Sequence, residues 1–145
     1  MVSDASSAPA AFRVSPRPAT RPPLVVSACL LGVPCNDRGR ASRLMIAIVE
    51  RAPALTIPAG VLAQVWRDGA RQARLARLLR DPRVLVAPLD RAAAQAVGIL
   101  IARSGHTDIV DVHLALCARR LGQTVVTSDV DDLRRVDPRL PILSL

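Results

Sequence analysis

The chain has 145 residues, half of them hydrophobic, and a formal net charge of +8; at that length one core can close without disulfides or metal staples. One Phe, one Trp and no Tyr exclude an aromatic stacking platform for single-stranded nucleic acid and leave a core of Ala, Val, Leu and Ile. All 20 Lys-plus-Arg residues are Arg, whose planar forks grip phosphates in bidentate pairs; such a surface suits a polyanion, and equally an acidic protein partner.

The 3 cysteines have no framework spacing. Cys29 and Cys35 lack the companion His or Cys pair of a zinc site, and Cys117 sits in an apolar helical run as a buried thiol. A reducing cytoplasm is the expected compartment. No apolar core of a signal peptide is visible near the start, and no segment reaches the ~18 apolar residues of a membrane span.

Residues 1–22, rich in Pro, Ala and Ser, are expected to be a disordered leader, with residues 23–145 forming one domain. The apolar run 24–28 reads as a first buried strand. Gly32, Pro34, Asn36 and Gly39 then break helices, so 29–40 is expected to be loop. A helix over 42–51 ends at Pro53. A strand at 55–57 leads into a helix over 59–67, with Pro58 at its first turn and Asp68-Gly69 as its stop. An amphipathic helix follows over 70–80, then a strand at 84–87 and an Ala-rich helix over 90–103 that breaks at Ser104-Gly105. The helix over 108–121 takes Thr107 as N-cap and Gly122 as C-terminal stop. A strand at 124–127, a helical turn at 131–135 and a strand at 141–145 complete the chain. Continuous apolar strands alternating with helices signal a mainly parallel sheet covered on both faces: an α/β fold in three layers.

In such a sheet, ligands bind beyond the carboxyl ends of the strands. Three polar clusters fall there: Ser128, Asp129, Asp131 and Asp132 after the fourth strand; Thr107, Asp108 and Asp111 at a helix start; Ser27 after the first strand, with Asn36 and Asp37 further along its loop. Asp108 and Asp111, three apart, share one helix face. First-turn acids are also ordinary capping chemistry, and Asp129 could cap the turn after it. Two carboxylate groups at adjacent strand ends nevertheless suit a hard divalent cation. Neither a G-x-G-x-x-G nor a P-loop Lys is present.

The stretch 108–133, with Asp108, Asp111, Gly122, Thr127-Ser128-Asp129 and Asp132, resembles the C-terminal half of PIN domains, where an Asp opens an Ala-rich helix and a strand ends in Thr-Ser-Asp. Residues 57–67 resemble that family's second helix, so the likeness spans about 55–136. It implies a PIN-like, flavodoxin-like arrangement, Mg²⁺- or Mn²⁺-dependent hydrolysis of RNA, and a VapC-like toxin held by a small antitoxin, commonly as a homodimer. Under it Asp111, Asp129 and Asp132 are metal ligands, while Asp108, Asp111 and Asp129 are catalytic. Ser27 and Gln64 stand where the family carries its first two acids, and neither offsets a divalent charge. A non-catalytic module that binds RNA or an antitoxin is the competing expectation.

Arg67, Arg71, Arg74 and Arg77 recur at helical spacing as an RNA-backbone track, or as the solvated face of an amphipathic helix packed through Leu75, Leu78 and Leu79. His113 points about 200° from Asp111 around the helix and is expected to pack, whereas His106 lies nearer the acidic turn. Trp66 is expected to pack the second helix against a neighbour or a dimer mate.

Overall fold

A computed structural model describes residues 22–31, 40–67 and 70–145. The leader, apart from Pro22, lies outside these residues, as do Cys35, Asn36, Asp37 and the Asp68-Gly69 stop.

Five short apolar runs make the strands β1 (Leu24–Val26), β2 (Leu55–Pro58), β3 (Val84–Ala87), β4 (Thr124–Thr127) and β5 (Ile142–Ser144). All pair in parallel, in the order β3-β2-β1-β4-β5. Strand order reverses between β1 and β4, whose register sets Val26 against Val126. That reversal opens a crevice at the carboxyl ends of these two strands.

The crossovers carry α1 (Ala28–Leu31), α2 (Arg40–Arg51), α3 (Ala59–Val65), α4 (Ala70–Leu78), α5 (Arg91–Ser104), α6 (Ile109–Leu121) and α7 (Val130–Val136). Right-handed connections place α1 to α4 on one face of the sheet and α5 to α7 on the other. The result is the α/β three-layer arrangement that the alternation of elements implies. Among the described residues no helix is long and apolar enough to cross a membrane.

Helix α6 packs on β1, β2 and β4 and also against α3, α5 and α7. Its residues from Val112 to Ala118 are therefore buried without a break. Leu114, Val112 and Ala115 meet Val25, Val26, Ile57, Val125 and Val126 in one apolar cluster. Burying each Val, Leu or Ile side chain in that cluster contributes about 1.5–3 kcal/mol. His113 also falls in this buried run, as its angle from Asp111 requires. Burial holds its imidazole below the usual histidine range, against a bond to the Pro88 carbonyl that works the other way. Gly60 lets α3 approach closely, because a Cβ there would sit 3.2 Å from Val110 of α6.

Helix ends follow local chemistry. Asp90 caps α5 by accepting from the Ala93 amide at 2.8 Å, and Gly105 closes it at φ 72°. Gly122 closes α6 at φ 62°, the left-handed conformation that only glycine adopts without strain.

Five expectations need correction. Residues Cys29–Leu31 turn helically where loop was expected, because the breakers begin only at Gly32, and Ala28, expected in the first strand, opens that turn. Helix α3 stops at Val65, short of the bound expected, where Trp66 turns extended with ψ 113°; Trp66 is 39% exposed in the single chain. Helix α6 is capped by Asp108 instead of Thr107: a carboxylate accepting two amides at the positive end of a helix outcompetes one hydroxyl. Helix α7 runs over Val130–Val136, longer than the turn expected. Strand β5 is trimmed to Ile142–Ser144.

Candidate functional site

At the strand-order reversal, Ser27 ends β1 and its amide donates to the Val126 carbonyl at 3.3 Å. Ser27 is buried, so its hydroxyl must find a partner, and it lies 2.7 Å from the Cys29 Sγ on α1. The same sulfur receives the Ser128 amide at 3.3 Å and lies 3.8 Å from the Thr127 Oγ1. Burial alone pushes the Cys29 thiol up. Bonds from the Ser128 side chain, Ser27, the Ser128 amide and Thr127 together outweigh burial and bring it below the ordinary cysteine value. Thr127 Oγ1 also accepts the Asp129 amide at 3.0 Å.

Sequence reasoning missed this thiol. Its surroundings come from residues almost a hundred positions away, and a six-residue gap to Cys35 carries no hint of them. A stabilised thiolate reacts faster than a buried thiol. Iodoacetamide at neutral pH is therefore expected to label Cys29 and spare Cys117, which burial pushes up to about 11. Peptide mapping checks this; equal labelling of the two would contradict the bonding around Cys29.

The second cluster opens α6. Asp108 Oδ1 accepts from the Val110 amide at 2.8 Å and the Asp111 amide at 3.2 Å, so this carboxylate is committed to shaping the turn. One turn on, Asp111 Oδ2 lies 3.0 Å from His106 Nε2, in a loop residue that Gly105 turns back toward the helix. Asp111 is 31% exposed. Burial pushes its carboxyl above the usual range, and the charges of Asp108 and Asp132 push it further, while the His106 bond pulls it back. Asp108, Asp111, Asp132 and His106 thus share one edge. Asp132, from α7, also pairs with Arg135 at 3.3 Å.

Asp129 precedes α7 without capping it, and its side chain is exposed. Gln64 is exposed on α3, the helix that packs on α6 beside Val110. Among the described residues no three His, Cys, Asp or Glu side chains converge tightly enough to hold a metal ion by themselves. Mg²⁺ keeps most of its waters and is commonly held by one or two carboxylates, the type of group that Asp111 and Asp132 supply at this edge.

The four arginines do not share one helix. Arg67 lies beyond α3 and folds back on it, its Nη1 donating to the Ala63 carbonyl at 3.3 Å and the Trp66 carbonyl at 2.6 Å. Arg74 and Arg77 are exposed on α4, opposite the buried Leu75. The side chain of Arg71 lies outside the described residues.

No family model and no curated protein matches this sequence. Solved structures do share its fold. FitAB bound to an IR36 DNA fragment aligns over 83% of this chain and 94% of its own, at 16% identity and a TM-score of 0.54. VapBC2 from Rickettsia felis, bound to a DNA fragment from its promoter, aligns over 84% and 98%, at 16% identity and 0.61. FitAcB from Neisseria gonorrhoeae aligns over 83% and 96%, at 16% identity and 0.55. The shared architecture is a PIN-like α/β fold with an all-parallel five-stranded sheet.

Proposed function

We propose that this chain is a VapC-like ribonuclease toxin, cutting RNA at the edge where α6 and α7 begin and restrained by a cognate antitoxin. The observation that carries the proposal is Asp111: a carboxylate kept partly buried, beside two further carboxylates, by a histidine contact. A fold built for stability alone would not gather like charges on a half-dry edge; perturbed acids in a cleft are a mark of function.

Asp111, Asp129 and Asp132 would hold Mg²⁺ or Mn²⁺. The ion would supply Lewis-acid polarisation of the scissile phosphate and a water acidic enough to ionise near neutral pH. His106 orients Asp111. Asp108 has both its short contacts on backbone amides, so its part is to fix the first turn of α6 rather than to align water. Arg74 and Arg77 would carry the RNA backbone, with binding that weakens steeply as salt rises.

The neighbours named VapBC2 and FitAB support the antitoxin partner, being complexes on DNA fragments. A homodimer in the cytoplasm completes the proposal. Exposed Ile99 and Ile109 offer apolar surface to a second copy or to the antitoxin.

A second reading, a non-catalytic RNA- or antitoxin-binding module, is favoured by one observation. Ser27 is neutral and engaged by Cys29, and Gln64 is exposed, so neither position adds negative charge. The two readings separate in one assay of purified chain on RNA with Mn²⁺. Cleavage that disappears in the Asp111→Asn, Asp129→Asn double variant supports the nuclease. RNA retention without cleavage supports the module, and the same residual cleavage in both proteins would end the nuclease reading.

A further inference from the structure

The positive charge of this protein is not spread evenly along the chain. Residues 88–145 carry seven arginines and seven aspartates, whereas residues 22–87 carry ten arginines against four acids. The half that holds the acidic edge is therefore balanced. The excess belongs to the half that builds α1 to α4.

On that face Arg43 and Arg51 stand exposed on α2. Arg74, Arg77 and Arg80 stand exposed on α4 and on the turn that continues it, where the Leu79 amide donates to the Leu75 carbonyl at 2.9 Å. These three recur every third residue and so share one side of the helix. Arg83 fastens the two helices at one end. Asp81, just after α4, holds its guanidinium at 2.6 Å, and its Nη1 donates to the Glu50 and Ala52 carbonyls at 3.0 and 3.1 Å. Arg51 and Arg80 are thereby brought to the same end of the layer. Among the described residues no carboxylate lies within salt-bridge distance of any of the five exposed arginines. Asp81 is taken by Arg83, which leaves Glu50 as the one other acid described in residues 40–87. Like charges gathered on one rigid layer repel, and a polyanion supplies the counter-charge.

We infer that this face docks a base-paired stem of RNA, the arginines of α2 and α4 gripping its phosphates. Guanidinium forks suit phosphate oxygens. A single strand would also need stacking partners for its bases, and the described residues hold one exposed aromatic ring, Trp66, which lies beyond α3. A stem stacks its bases on one another and presents phosphates and 2′-hydroxyls outward, the groups that donors on helices can reach. Docking of this kind uses none of the carboxylates at the starts of α6 and α7, so holding the RNA and cutting it fall to different parts of the molecule.

The choice of RNA as the nucleic acid rests on the nuclease reading, so the test measures binding alone, on the full chain in EDTA, where a failure to cleave has no influence. An RNA duplex of about 16 base pairs is expected to bind ten-fold or more tighter than either of its strands alone. The triple variant Arg74→Gln, Arg77→Gln, Arg80→Gln is expected to weaken duplex binding about ten-fold or more and to flatten its dependence on salt by about two to three units of log–log slope. The pair Arg43→Gln, Arg51→Gln on α2 gives an independent arm with a smaller loss of the same kind. A charge-matched control, Arg103→Gln, Arg119→Gln, Arg134→Gln, removes three exposed arginines from the balanced half and is expected to change binding less than about three-fold. A single strand bound as tightly as the duplex, a DNA duplex of the same sequence bound more tightly, or a control that weakens binding as much as the α4 triple variant would overturn the inference.

Discussion

Asp111→Asn is expected to do two opposite things: slow RNA cleavage by roughly 10²–10³-fold and raise the thermal midpoint by about 2–4 °C at neutral pH. The first effect follows from removing a charge that would stabilise the transition state through the ion. The second follows from where that charge sits. Burial, then Asp108 and Asp132, raise the Asp111 carboxyl above its unfolded value. A carboxyl raised on folding contributes stability below its unfolded pKa and loses it as pH climbs through the folded pKa. At neutral pH the ionised group therefore strains the fold. Asn keeps the shape, can still accept from His106, and carries no charge to desolvate. The gain in midpoint should shrink as pH falls through the carboxylate range, where Asp111 takes up its proton, and grow as pH rises toward neutral. Melting curves of both proteins across that range check it. A variant less stable than the parent at neutral pH would mean that the acid cluster does not repel.

Leu114→Ala is expected to cost about 3–4 kcal/mol, a large share of the ~5–15 kcal/mol that separates folded from unfolded domains. Leu114 is 1% exposed and sits mid-way along the stretch of α6 that is buried on every side. With the sheet, α3, α5 and α7 all packed against this helix, no neighbour is free to collapse into the space left behind. Urea unfolding of parent and variant gives the difference directly. A loss below about 1 kcal/mol would show that one of those layers yields. The same packing sets the direction of the first turn of α6, so the position of Asp111 depends on side chains that never touch it.

Much of this architecture was legible in the residues. Strands β3 and β4 fall on the expected bounds because a four-residue apolar run between polar turns has few alternatives. Gly105 and Gly122 ended their helices because each takes a positive φ. The failures share a cause. The cap at Asp108 was assigned to Thr107 because both residue types cap helices, and only geometry shows which oxygen reaches two amides. A single face from Arg67 to Arg77 required little bending at the Asp68-Gly69 stop, and spacing alone does not show that α3 ends at Val65 and that Arg67 folds back on it. Cys29 was read only as lacking zinc companions, because two of its hydrogen-bond partners, Thr127 and Ser128, lie far from it in the sequence. The acids at 108, 111 and 132 were visible as types, whereas the His106 contact that selects Asp111 among them was not.

The pairing of Leu24 with Thr124 has a consequence for how the chain is made. A ribosome adding about 5–20 residues per second needs roughly 5–20 s to pass from one to the other, and for that interval one edge of the central strand stays open. Cys29 and Ser128 meet only after that gap closes. A nascent chain stopped anywhere before the fourth strand therefore carries half a crevice and no finished acidic edge, so the order of synthesis itself makes that edge wait for β4 and α7.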